Sequence, residues 1–380
     1  MGGTGQTQGA APLDKRVIGR VVRPLLAAAA LSFGFLIGQP FLTGQPAHAQ
    51  PGTLTIAPTF DSSITATAQA AINSAISTIE GLYTTFSTVT DHILFKMVPD
   101  DSPSSVTNLF FGETYGHYTN ALSANSAANP ANTTLSTALA NLGKGNGADG
   151  SLQIAATGGQ LRSLGFNTPP CLNASGQIAC NDPSHPYDAI VTLSSTDLDF
   201  SGHVPPPSKL DGLGVVEHAI NEVLGGGGAG SVLNQIDGCP DPNNFFCGAL
   251  GPLDLYRYDS SGKPSFTTDP NATSFFSVDG GATDIVGFNQ DPSGDFGDFG
   301  PNANTCPDGT QGGPDALIQD AFPCSNQLAE DYTPASPEYP MMLSIGYDPK
   351  GVAPPVPEPG SLALLGIALA GFGALRRRRG

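Results

Sequence analysis

The sequence predicts an α+β fold: a mixed α/β half, one central helix, then an irregular half braced by disulfides. Three observations carry this. Before residue 212, short β-rich runs alternate with stretches whose apolar residues recur every three or four positions. From Gly212 to Leu224 the apolar residues keep helical spacing, and the glycine run Gly225 to Gly228 closes the segment. Beyond it, residues 230 to 348 are dense in Gly, Pro, Asp and Asn, and the cysteines fall in close pairs.

In order, Thr53 to Ala57 alternates as a first strand, and Ala68 to Tyr83 carries Ala71, Ile72, Ala75, Ile76, Ile79 and Leu82 at helical spacing. His92 to Val98 is a second strand, stopped by Pro99. Thr107 to Tyr118, rich in aromatics, is expected as a glycine-kinked third strand or edge. Thr134 to Leu142 is a short helix, Ser151 to Leu164 continues the alternation, and Ala189 to Leu193 is another strand. A proline linker, His203 to Pro207, leads into the central helix, where Val215, Val216, Ala219, Ile220, Val223 and Leu224 form one buried stripe. In the irregular half, Ala335 to Tyr347 is a final core helix ending at Gly346.

The ends are addresses rather than fold. Lys15, Arg16, Arg20 and Arg23 precede an apolar stretch and Ala47-His48-Ala49, the layout of a signal peptide over residues 1–49 that signal peptidase removes. Residues 50–349 form the folded body and 350–359 a linker. Residues 360–380 supply a transmembrane helix and a basic tail, Arg376 to Arg379, with the positive side inward. That apolar run is shorter than the ~20 residues of a comfortable span. The tripartite tail, with Pro357-Glu358-Pro359 ahead of it, resembles the PEP-CTERM sorting signal of Gram-negative bacteria. The resemblance implies exosortase as a partner, passage through the inner membrane, and a final place at the cell surface or outside it.

The chain carries 15 basic and 33 acidic residues, a net charge of −18. Setting the ends aside leaves seven basic and 32 acidic residues, a charge of −25. Such a body repels nucleic acid and anionic lipid, so no nucleic-acid partner is expected, and solubility alone is a sufficient reason for the charge. Cysteine spacing favours neighbour pairing, Cys171 with Cys180, Cys239 with Cys247 and Cys306 with Cys324, as expected of structural bridges in an oxidising compartment.

His218 and Glu222, four apart on the central helix, share a face with Cβ atoms about 5–6 Å apart. A helix presents two ligands to one zinc ion in this way. Five aspartates, Asp279, Asp284, Asp291, Asp295 and Asp298, punctuate a glycine-rich stretch without EF-hand spacing; a solvated acidic loop is the default there and calcium the alternative. Glu113 and His117 are a further pair four apart, read first as a satisfied polar pair.

The segment Glu217 to Gly225 resembles the E-H-E-I-x-E-V-[ML]-G helix of a family of secreted bacterial zincin-like metalloproteases, many with PEP-CTERM tails. Pro252 to Tyr258, Phe275 to Thr283, Phe288-Asn289, Gly294 to Phe299 and Leu343 to Asp348 resemble further segments of that family in the same order. The resemblance implies a zincin-like fold with the central helix as active-site helix, a zinc cofactor, and His218 and Glu222 as metal ligands. It also gives Asp254 as third ligand, with Asp259 second and a structural pairing of Asp254 with Arg257 as the competing role. Ala219 stands where the family carries its general-base glutamate, so the resemblance implies impaired or absent proteolysis. The alternative is a non-catalytic surface or matrix protein on the same fold.

Overall fold

The computed structural model describes residues 51–99, 102–142, 153–228, 249–300, 306 and 316–352. The signal segment, Cys239, Cys247 and the tail from residue 353, with its expected membrane helix, lie outside these. Among the described residues no helix is long and apolar enough to cross a membrane.

Strand β1 (Leu54–Phe60) leads to helix α1 (Ala66–Leu82), which starts where the Thr65 hydroxyl accepts from Ala68 N. Strands β2 (Tyr83–Thr85), β3 (Val89–Val98), β4 (Ser104–Asn108) and β5 (Phe110–Thr114) follow, then helices α2 (Tyr115–Ala128) and α3 (Thr133–Asn141). Next come β6 (Gln153–Thr157), α4 (Gly158–Ser163), β7 (Ala189–Ser194), β8 (Leu198–Asp199), β9 (Leu210–Asp211) and the central helix α5 (Gly212–Val223). The second half holds a 3-10 turn (Pro252–Tyr256), β10 (Arg257–Tyr258), β11 (Phe275–Phe276), β12 (Val286–Gly287), α6 (Glu338–Ser344) and β13 (Tyr347–Pro349).

The main sheet has the order β1-β3-β7-β4. β1 and β7 run parallel to β3, with Leu54 opposite Val89 and Ile93 opposite Ala189, while β4 runs antiparallel to β7. Pro58 is tolerated because β1 is an edge strand. Alternate residues Leu54, Ile56, Ile93, Phe95, Val191 and Leu193 join one apolar core with Ile72, Ile76 and Ile79 of α1 and Val216, Ala219 and Ile220 of α5.

The final helix is shorter than expected, Glu338–Ser344, with Tyr347 in β13, and one further element differs in kind. The chain from Thr107 to Tyr118 is not a single strand: two short strands end at Thr114, and α2 begins at Tyr115. The cause is local, since the Thr114 hydroxyl accepts from His117 N at 3.2 Å and caps the helix. Tyr118, Leu122 and Asn125 then line its buried face.

Side chains replace regular structure as the mortar of the second half. The buried Arg257 guanidinium donates to Phe296 O (2.6 Å), Asn289 O (2.9 Å) and Gln290 Oε1 (2.6 Å), with the Phe288 ring 4.6 Å from its Cζ. The chain then returns to the first half. β13 pairs antiparallel with β2, and Asn129 Nδ2 (2.8 Å) and Asn132 Nδ2 (3.1 Å) donate to the Asp348 carboxylate. The bridges Cys171–Cys180 and Cys306–Cys324 are formed between sequence neighbours.

Candidate metal centre

Helix α5 starts where Asp211 turns back to accept from Leu213 N at 3.1 Å. It ends where Gly225 takes φ +88°, a conformation that costs glycine nothing. Its apolar stripe faces α1 and the sheet, which leaves His218 and Glu222 on another side. Asn108 Nδ2 of β4 donates to Glu222 O at 3.1 Å and fastens the helix end to the sheet edge.

His218 Nε2 lies 3.1 Å from Glu222 Oε1 and 3.5 Å from Asp298 Oδ2. The ligand atoms of these three residues all fall within 4.8 Å of one another. His218 Nδ1 donates to Ile318 O at 2.8 Å, which leaves Nε2 to face the two carboxylates. Asp298 is itself held: its Oδ1 accepts from Gln319 Nε2 at 2.9 Å and from the backbone N–H of Gly228. Gly228 has to be glycine here, with φ +53° and a Cβ position that would collide with the Glu222 carboxylate.

The supporting strip is tied in turn. Gln319 N donates to Glu338 Oε1 at 2.9 Å, and Phe299 N donates to Gln319 O at 2.8 Å. A cavity of about 30 Å³ reaches His218 between Asp211, Gly214 and Val215 on one side and Ile318, Pro323 and Cys324 on the other. Burial alone would disfavour a charged His218, but Asp298 and Glu222 outweigh it and hold the imidazolium well above the ordinary histidine range. A divalent cation at this point would take the place of the Nε2 proton. One histidine and two carboxylates, oriented by outer hydrogen bonds, fit a borderline or hard cation such as zinc.

The third member of the cluster is Asp298, and Asp254 lies elsewhere. Asp254 is buried in the 3-10 turn, where its Oδ2 accepts from Gly251 N at 2.8 Å. Asp259 is also elsewhere, closing a turn by accepting from Ser261 N (2.8 Å) and Lys263 N (3.0 Å). The other loop aspartates do not converge with Asp298. Asp279 accepts from the hydroxyls of Ser277 and Thr283, and Asp291 accepts from that of Ser293. His117 Nδ1 and Glu113 Oε2 pair at 2.7 Å on an exposed surface, beside the ring of Phe166. Among the described residues, His218, Glu222 and Asp298 are the one group of three that converges in this way.

Ala219 is fully buried, and its methyl group belongs to the apolar core rather than to the cluster. Glu217, about 100° round the helix from His218, is buried as well. Loss of water, with Asp211, Glu338 and Asp331 nearby, pushes its carboxyl up to about 8. Asp298, Ile318 and Gln319 were not identifiable as site residues from spacing along one helix. The one available signal was Asp298 within the segment Gly294 to Phe299.

Compared with known families, residues 355–379 match the PEP-CTERM protein-sorting motif, which contains Pro357, Glu358 and Pro359. No curated protein and no solved structure matches the chain. The tail is the recognition signal for exosortase, and it marks this chain as an exported protein sorted to the surface or the exterior.

Proposed function

We propose that this exported protein has a zincin-like fold, holds one zinc ion at His218, Glu222 and Asp298, and does not hydrolyse peptides. The observation that carries the reading is the convergence of an oriented Nε2 and two carboxylates within 4.8 Å. In this reading His218 binds through Nε2 with Ile318 O fixing the ring, Glu222 binds through Oε1, and Asp298 binds through Oδ2. Zinc supplies Lewis acidity wherever it binds. Hydrolysis further requires a positioned base to take a proton from water. The residue after His218 offers a methyl group turned into the core, and Glu217 projects from a different side of the helix.

A second reading has its own support: the metal-free cluster is complete in itself. An imidazolium between Glu222 and Asp298 satisfies both carboxylates, so the same residues serve equally as a buried ion triad in a non-catalytic scaffold. Metal analysis of the full chain separates the two. The zinc reading expects one zinc per chain, removed by a chelator and absent in His218→Ala. A parent protein that takes up no zinc after dialysis against it belongs to the scaffold reading.

A further inference from the structure

The bridge Cys306–Cys324 closes a loop of sequence separation 18 that contains Ile318 and Gln319. These two residues touch the cluster from outside: Ile318 O takes the His218 Nδ1 hydrogen, and Gln319 Nε2 donates to Asp298 Oδ1. The same strip pairs with Phe299, the residue after Asp298, through Phe299 N to Gln319 O (2.8 Å) and Ala321 N to Phe299 O (3.0 Å). Both sulfurs belong to buried residues, and Cys324 forms part of the wall of the cavity that reaches His218. The bridge is therefore built into the support of the cluster and into the wall of a cavity beside His218. None of the cluster's hydrogen bonds involves Cys171 or Cys180.

We propose that the Cys306–Cys324 bridge is a redox switch for the metal seat: the oxidised protein binds zinc tightly, and the dithiol form binds it weakly. The inference rests on the zinc reading above. Closing the bridge removes two protons and two electrons from the two thiols. A protein disulfide of the export compartment accepts them and leaves as a dithiol, by thiol–disulfide exchange through a mixed disulfide. Opening the bridge frees the strip to leave His218 Nδ1 and Asp298 Oδ1. Outer partners of this kind typically change metal affinity by about 10–100-fold. Zinc capture is thereby confined to chains that have reached an oxidising compartment.

The test compares three full-length proteins: the parent, a Cys306→Ser/Cys324→Ser variant and a Cys171→Ser/Cys180→Ser variant. Zinc affinity is read by competition with a chromophoric chelator. The expected result is a loss of about 10–100-fold in the first variant and a parent-like affinity in the second. Equal affinity in all three overturns the switch and leaves the zinc reading standing. Absence of zinc binding by the parent overturns the zinc reading and the switch together. If the first variant does not fold, the parent alone decides. By linkage, zinc must shift the Cys306–Cys324 couple towards the disulfide by the same about 10–100-fold when the parent is equilibrated in a thiol–disulfide redox buffer and read by alkylation and mass spectrometry, without shifting Cys171–Cys180. A redox equilibrium indifferent to zinc overturns the switch.

Discussion

Replacing Ala219 with glutamate puts a carboxyl where the zincin reading expects a base, yet burial at this position implies a damaged core instead. Ala219 is fully buried and shares its surroundings with Val216, Ile220 and Val223 of α5 and with the α1 face. A carboxyl placed there stays neutral, and holding it neutral at pH 7 costs about 3.5 kcal/mol against an ordinary glutamate. The added volume costs about 1–3 kcal/mol more. The sum, about 4.5–6.5 kcal/mol, is a large part of the ~5–15 kcal/mol that typically holds a domain together. The sign follows from a carboxyl whose folded-state pKa is raised. Relative to the parent, stability is highest below the ordinary carboxyl range and falls as pH rises through the folded-state value, by up to about 1.4 kcal/mol per unit. Urea denaturation of Ala219→Glu and parent at pH 5 and pH 7, followed by circular dichroism, measures both parts. Parent-like stability at pH 7 would refute the reasoning. Hydrolysis of unfolded protein substrates by the variant would refute it more severely, because the side chain would have to reach the cluster.

Three further outcomes are expected. Asp254→Asn should leave zinc stoichiometry unchanged while lowering stability by about 1–3 kcal/mol, since it loses a charge-assisted cap on Gly251 N; loss of zinc in this variant would restore Asp254 as a ligand. Burial pushes Asp91, against the pull of Arg162, and Asp348 up to about 7, and it pushes Glu217 up to about 8. The share of stability that these three groups contribute should therefore be fully present below about pH 4 and decline towards pH 8, and Glu217→Gln should flatten the upper part of that decline in thermal melts. Asn132→Ala should cost about 2–4 kcal/mol, because Asn132 Nδ2 donates to Tyr347 O at 2.8 Å and to Asp348, and its Oδ1 caps α3; a parent-like urea midpoint would argue against that clamp.

Whatever depends on local period was readable in the sequence. Ile72, Ile76 and Ile79 announce α1, and Val216, Ile220 and Val223 announce α5, because one buried stripe dictates the spacing. His218 and Glu222 were readable for the same reason: four residues along a helix make one face. The start of α2 was obscured because Phe110, Phe111 and Tyr115 suggest a strand, while a single hydroxyl at Thr114 sets the helix. The rest of the candidate site was barely readable: Asp298 stood out only as one of five loop aspartates and within a matched segment. Asp298 and Ile318 reach His218 across sequence separations of 80 and 100, with Gln319 behind Asp298, through a half whose geometry comes from Arg257 and glycine turns rather than from periodic pattern. Asp254 stood in the more conspicuous motif and serves a turn.

The seam between β13 and β2 has a mechanical consequence. The sorting motif begins at residue 355, a few residues after Pro349, so tension on the tail enters the body at Tyr347–Pro349. There it meets a three-residue antiparallel pairing with Tyr83–Thr85, the Asn129 and Asn132 amides on Asp348, and Lys350 Nζ on Glu80 O. The chain from Val352 to Pro359 spans about 25 Å at full stretch. While a sorting enzyme grips the motif, the body is leashed close by, and the pull falls on the fastening that joins the beginning of the fold to its end.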